Sequence, residues 1–342
     1  MNYDKKNIIA LSIPTGVGAE IGGYAGDAGY VAREFAKYFK LIVNPNVVNA
    51  GILSAINDNM YYVEGYAFDE FFNGKICLTP HIPLKFNKIG VIFDKSIPED
   101  ILNIHINTIN AAKIVKGYDI PYFELTDEPV GVSLNIDLTG VSTGQVQNEK
   151  TLFRAAQKLI NKGCNALAVV CYFNDECEDE NYNNGTGVDP IGGIEAVISH
   201  YLTKEFMLPS AHSPAFSGLD ISYKKMNEKV ASEFISSTYL PCILDGLSIA
   251  PQLCKGGIEL DNKCIKNTDV KSLIVPNGAL GSKAVISALK NGIEVCAVKN
   301  KTVLSIDCNK LKENGIIKRL EYIKEFSSYQ NCLDYIRDKY ER

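Results

Sequence analysis

The sequence predicts an α/β fold: a mostly parallel sheet with helices on both faces, in Rossmann-like layering, followed by a helical carboxyl-terminal tail. Three observations predict it. Short runs rich in Ile and Val, apolar at nearly every position, recur along the 342 residues, as strands buried on both faces do. Stretches with helical periodicity separate them. Glycines follow the helical runs, where a left-handed cap is needed.

In order, the strands expected are Asn7–Ile13, Leu41–Val43, Ile89–Asp94, Val132–Leu138, Ala166–Phe173, Ser272–Val275 and Ile293–Val298. The helices expected are Ala28–Phe39, Pro98–Lys116, Glu149–Lys162, Pro190–Phe206, Asn227–Ser236 and Ser282–Asn291. Gly117, Gly163 and Gly292 close three of these, and Asp189-Pro190 reads as an N-cap followed by proline in the first turn. The loop Gly140–Gly144 is the place for a lobe boundary. It divides an amino-terminal α/β lobe (1–140) from a carboxyl-terminal one (141–308), with the tail at 309–342, the alternative being one continuous domain. The charged tail reads as a packing or dimerising appendage, which makes a homodimer an expectation.

Apolar residues at 46% and charged residues at 22% give a globular balance, and the net charge of −5 supplies no field for nucleic acid or anionic lipid. No apolar run approaches the ~20 residues of a membrane helix. The first residues lack a signal-peptide pattern, and ten scattered cysteines without an export signal read as reduced thiols. The expectation is a soluble cytoplasmic protein with neither membrane nor nucleic-acid partner. The spacing of Cys and His suits no zinc site, so no metal is expected.

Three glycine-rich segments open helices. Pro14 to Gly29 follows the first strand, where ligand crevices of α/β proteins form, and Thr15, Gly16, Gly18, Gly22, Gly23 and Asp27 are its candidate ligand residues. Its spacing departs from the dinucleotide fingerprint, and Asn44-Pro45-Asn46 replaces the acidic residue expected after the second strand. NAD(P) is therefore the weaker alternative. Asn277, Gly278, Gly281, Ser282 and Lys283 form a second entrance, where free amides, the helix dipole and a lysine suit phosphate or carboxylate. Gly185–Gly193 is the third. For proton transfer, Asp127 and Glu128 follow an apolar segment, and His212 lies in a loop stiffened by Pro209 and Pro214. Cys242 sits among apolar neighbours that make a thiol inert.

Pro14–Ala19 with Ile21–Ala28, Thr126–Pro129, Tyr239–Leu244 and Ala250–Gln252 resemble the domain of unknown function 3326 family from Ile8 to about Asp307. The resemblance implies one continuous family unit and assigns no catalytic residue. The residues themselves lead to the expectation of a cytosolic enzyme of small-molecule metabolism. It would bind an anionic metabolite for non-redox acid–base or group-transfer chemistry. An NAD(P)-dependent oxidoreductase and a non-catalytic ligand-binding or scaffold protein are the alternatives.

Overall fold

The computed structural model describes residues 7–22, 27–80, 85–173, 180–217, 225–256, 264–315 and 319–340. The chain runs β1 (Ile8–Leu11), α1 (Gly29–Phe35), β2 (Lys40–Val43), α2 (Pro45–Val48), β3 (Met60–Tyr62), α3 (Gly65–Phe72) and β4 (Ile76–Thr79). It continues through β5 (Ile89–Phe93), α4 (Glu99–Lys116), β6 (Tyr122–Leu125), β7 (Val132–Ile136), β8 (Ser142–Val146), α5 (Glu149–Asn161), β9 (Ala166–Phe173) and α6 (Glu180–Asn183). Then come α7 (Gly192–Phe206), β10 (Ser210–Phe216), α8 (Leu240–Ile249), β11 (Gln252–Lys255), β12 (Val270–Pro276) and α9 (Lys283–Lys290). The last elements are β13 (Glu294–Val298), α10 (Cys308–Glu313), β14 (Ile323–Phe326) and α11 (Tyr329–Tyr340).

Two parallel sheets carry the fold, in the orders β14-β13-β12-β1-β2-β3 and β10-β9-β5-β6. Alternate residues of each strand face opposite layers. Ile9, Leu11, Leu41 and Val43 of the first sheet share one core with Val91, Phe93, Ala168 and Val170 of the second, filled by helix α8 and residues of α1, α4 and α11. On the outer face of the first sheet, Ile8, Ala10, Ile42 and Leu273 meet α3 and α9. On the outer face of the second, Ile92, Leu167 and Val169 meet α5 and α7. The α/β class and its parallel sheets with helices on both faces are as the sequence predicts.

The differences have local causes. Both sheets take strands from either side of residues 140–144, and a single core runs between them. The tail supplies edge strand β14, and its helix α11 buries Tyr329, Cys332, Leu333 and Ile336 in that core. Val132–Ile136 pairs antiparallel with β8 as a hairpin outside the two sheets. Over Asn227–Ser236 only one 3₁₀ turn forms, Ala231–Phe234. Gly117, Gly163 and Gly292 adopt the left-handed conformation expected of helix caps. Among the described residues no helix is long and apolar enough to cross a membrane.

Candidate functional site

The loop after β1 is pinned by the asparagines that follow β2. Asn44 accepts from Ile13 N (3.0 Å) and donates to Ile13 O (2.7 Å), and Asn46 donates to Pro14 O (2.8 Å) and to Gly22 O. The missing acidic residue is thus replaced by amides that hold the loop itself. Thr15 is half-buried at its start, and Gly23 lies outside the described residues.

The first and third glycine segments meet, backbone against backbone. Gly16 O accepts from Ser142 N (2.8 Å), and Gly193 N donates to Ser142 Oγ (3.0 Å). A Cβ on Gly18 would lie 2.0 Å from Gly187 O, and one on Gly193 would lie 1.8 Å from Ser142 O. These glycines permit close approach of main chain to main chain. The entrance of α7 is also capped: Asp189 Oδ1 accepts from Ile191 N (3.0 Å) and Gly192 N (3.1 Å), so the helix begins after Pro190.

At α9 the expected anion site is filled by the protein's own anions. Ser282 Oγ accepts from Val285 N, Asp69 of α3 accepts from the backbone of Ala284, and Lys283 pairs with buried Glu70. Burial works to raise Glu70, but Lys283 and Lys75 hold its carboxyl below the usual range. Gly278 and Gly281 pack against Leu304 and Ile306, and Asn277 N donates to Val298 O. The segment 302–306 lies between this loop and the first, since Val303 N donates to Gly18 O and Ile306 N to Gly278 O.

The three acid–base candidates do not converge. Asp127 and Glu128 are exposed at the end of edge strand β6, and Arg154 grips Asp127 with two bonds (2.6 and 2.8 Å). Those bonds, with one from Thr151, hold Asp127 well below the usual carboxylate range, so it stays ionised and has no proton to give. His212 is in a strand, not a loop: it lies in β10, the opposite edge of the same sheet, where Pro214 is tolerated. Three strand spacings, about 14 Å, separate the two edges. Burial pushes His212 down to about 3, so its ring is neutral. Its Nδ1 lies 3.0 Å from Ser199 Oγ, which is 3.4 Å from Glu64 Oε1, and Glu64 pairs with His200 Nε2 at 3.0 Å. Glu64 also caps α3 by accepting from Tyr66 N and Ala67 N. This network ties α3 to α7.

Sequence reasoning missed the most unusual group. Glu195, in the first turn of α7, is 7% exposed, and its Oε1 has no hydrogen-bond partner. Burial, reinforced by Asp189 and Glu233, raises its pKa well above the usual value. Glu233 is pushed up to about 8 by burial and Asp189 while accepting from Tyr182 Oη (2.6 Å). Asp189 is raised by burial against the two amides it caps. Among the described residues, no lysine or arginine contributes to the shift of any of the three. Elsewhere, burial raises Asp27 to about 8 although Lys229 opposes it, and its Oδ1 is unpartnered. Cys242 is buried, its thiol pushed up to about 12 by burial, and is no nucleophile. No group of three or more His, Cys, Asp or Glu among the described residues is arranged to hold a metal ion.

Comparison with known proteins adds one relative. An uncharacterised lipoprotein of Synechococcus sp. is 36% identical over 301 residues, 86% of this chain and 82% of the relative. That description overturns the expectation of a cytosolic enzyme acting on an anionic metabolite, and with it the cytoplasmic placement. No solved structure matches the chain. The family described as "Protein of unknown function (DUF3326)" matches residues 8–334, nearly the whole length, and takes in the pinned loop, both sheets and the carboxyl cluster. The chain belongs to that family.

Proposed function

We propose that the chain is a binding protein for a small organic cation, an amine, taken up at the buried carboxyl of Glu195 and the half-buried carboxyls of Asp189 and Glu233. The observation that carries the reading is Glu195 Oε1, buried and unpartnered beside two further carboxyls. The helix-entrance amides that would recognise an anion are engaged by Asp189, Ser142, Asp69 and Ser282. Among the described residues, the carboxyls of Glu195 and Asp27 each leave a buried oxygen without a partner. Taking a lone carboxylate out of water costs several kcal/mol, so Glu195 and Glu233 hold protons when no cation is present. An ammonium group supplies both the missing donor and the missing positive charge, and displaces those protons. The description of a relative as a lipoprotein supports placing this binding unit at a membrane surface.

Calorimetric titration with linear aliphatic amines and diamines, repeated in two buffers of different ionisation heat, tests the reading. Amine binding with proton release is expected, with affinity rising as pH increases towards about 8, where Glu233 ionises. Glu195→Gln should weaken binding by tenfold or more, the loss of about 1.4 kcal/mol or more. Binding of acetate or inorganic phosphate in place of amines, or no amine binding at all, overturns it.

A further inference from the structure

Away from the carboxyl cluster, three cysteines gather on one face of a small ribbon. Strands β4 and β11 pair antiparallel, with Cys254 directly opposite Cys77 and Gln252 opposite Thr79. Directly opposed residues project to the same face. On the other side of β4, Leu78 and Ile265 exchange both backbone bonds (3.0 and 2.7 Å), which sets Cys264 beside Thr79. Thr79 Oγ1 lies 3.3 Å from Cys254 Sγ and 3.4 Å from Cys264 Sγ. Cys77 and Cys264 are buried, while Cys254 is partly exposed.

We propose that Cys77 and Cys254 are an oxidation site that closes to a disulfide bridging β4 and β11. Register selects this pair. Gly256 N donates to Lys75 O (2.7 Å), which makes 75/256 a hydrogen-bonded pair and, two residues on, 77/254 another. Cα atoms in such a pair stand about 5.5 Å apart, inside the window a disulfide requires. Cys254 and Cys264 flank β4 from opposite sides, which puts their Cα atoms about two strand spacings or ~9.6 Å apart, too far for a bridge. Cys264 and Cys77 are only diagonal neighbours across the ribbon.

The accessible thiol begins the reaction. With a small-molecule disulfide as oxidant, the Cys254 thiolate attacks one sulfur and releases one thiol, leaving a mixed disulfide. The Cys77 thiolate then attacks Cys254 Sγ and releases the second thiol. The two cysteines lose two electrons and two protons, and the oxidant's two sulfurs gain them. The expectation of reduced thiols rested on a cytosolic placement that the relative's description overturns.

The experiment treats the folded full chain with oxidised glutathione, digests it without reduction and maps linked peptides by mass. The expected result is a Cys77–Cys254 peptide lighter by two hydrogens, loss of two titratable thiols, and a rise of about 5 °C in the unfolding midpoint that dithiothreitol reverses. Cys77→Ser should stop at a glutathione adduct on Cys254, and Cys264→Ser should leave the bridge intact. All thiols remaining free in the native protein, or a bridge to any other cysteine, overturns the proposal. Mapping the unaltered chain keeps the test independent of how the variants fold.

Discussion

Gly193 and Gly117 are both glycines at helix ends, yet they answer to different physics. A Cβ on Gly193 would meet Ser142 O at 1.8 Å and Ser142 C at 2.3 Å, both main-chain atoms that no rotamer change can move aside. Gly193→Ala is expected to cost more than about 3 kcal/mol, or to prevent folding, because β8 and α7 must part. Gly117 faces open space and pays only for its φ of +71°, so Gly117→Ala should cost about 1 kcal/mol. Urea denaturation of the two variants measures the contrast. The glycines near the amino terminus were legible in the sequence as a special segment, but their partner was not. Nothing in Pro14–Gly22 shows that the close approach is to Ser142, Gly187 and Gly193 of the same chain. Glu195 was hidden for a related reason: within a helical run a glutamate reads as a solvent-facing residue, and only the packing of α7 turns it inward.

At the scale of elements, the entrance of α9 shows how one helix can answer the dipole of another. The sequence correctly marks Ser282 and Lys283 as the start of a helix with positive character, but the anions that answer it come from α3, more than two hundred residues earlier. Lys283→Ala should therefore leave affinity for inorganic phosphate unchanged. It should lower stability by about 1 kcal/mol, a modest figure because the lysine is half exposed and Lys75 still faces Glu70 at 3.2 Å. Phosphate titration and urea denaturation of the same variant check both halves. Strand legibility followed burial and position. Ala166–Phe173 was readable to the residue because it is central and apolar on both faces, whereas β10 was obscured by Pro209 and Pro214, which only an edge strand accommodates. Helix α8 carries no amphipathic period because nearly all of it is buried between the two sheets. The alternation Val-Ser-Leu-Asn-Ile in β7 marks a half-exposed hairpin rather than a doubly covered strand.

Over the whole molecule, stability should fall as the solution turns from neutral to mildly alkaline. Glu233 and Asp27 have folded-state pKa values of about 8, against about 4 unfolded, so the folded chain retains protons that the unfolded chain has released. Their stabilising contribution is complete below about pH 4 and is lost as pH rises towards 8. His212 and His105 run the other way. Burial lowers them to about 3 and about 4, so their contribution is present above about 6.5 and is lost on acidification. Between pH 6.5 and 8 the raised carboxyls act without opposition from the histidines, and each contributes a slope of up to about 1.4 kcal/mol per pH unit. Denaturation free energies at pH 6.5 and 8 should show the decline, and Glu233→Gln should flatten it.

Strand β1 lies between β2 and β12, so the opening residues of the chain find one of their two neighbours only at Val270–Pro276. During synthesis, the first strand leaves the ribosome long before that neighbour exists. Its Ile and Leu side chains must wait, with the larger sheet half built, until about 260 further residues have been made. A chain joined so late folds slowly and depends on β12, so premature termination before that strand should yield aggregate rather than a smaller working protein.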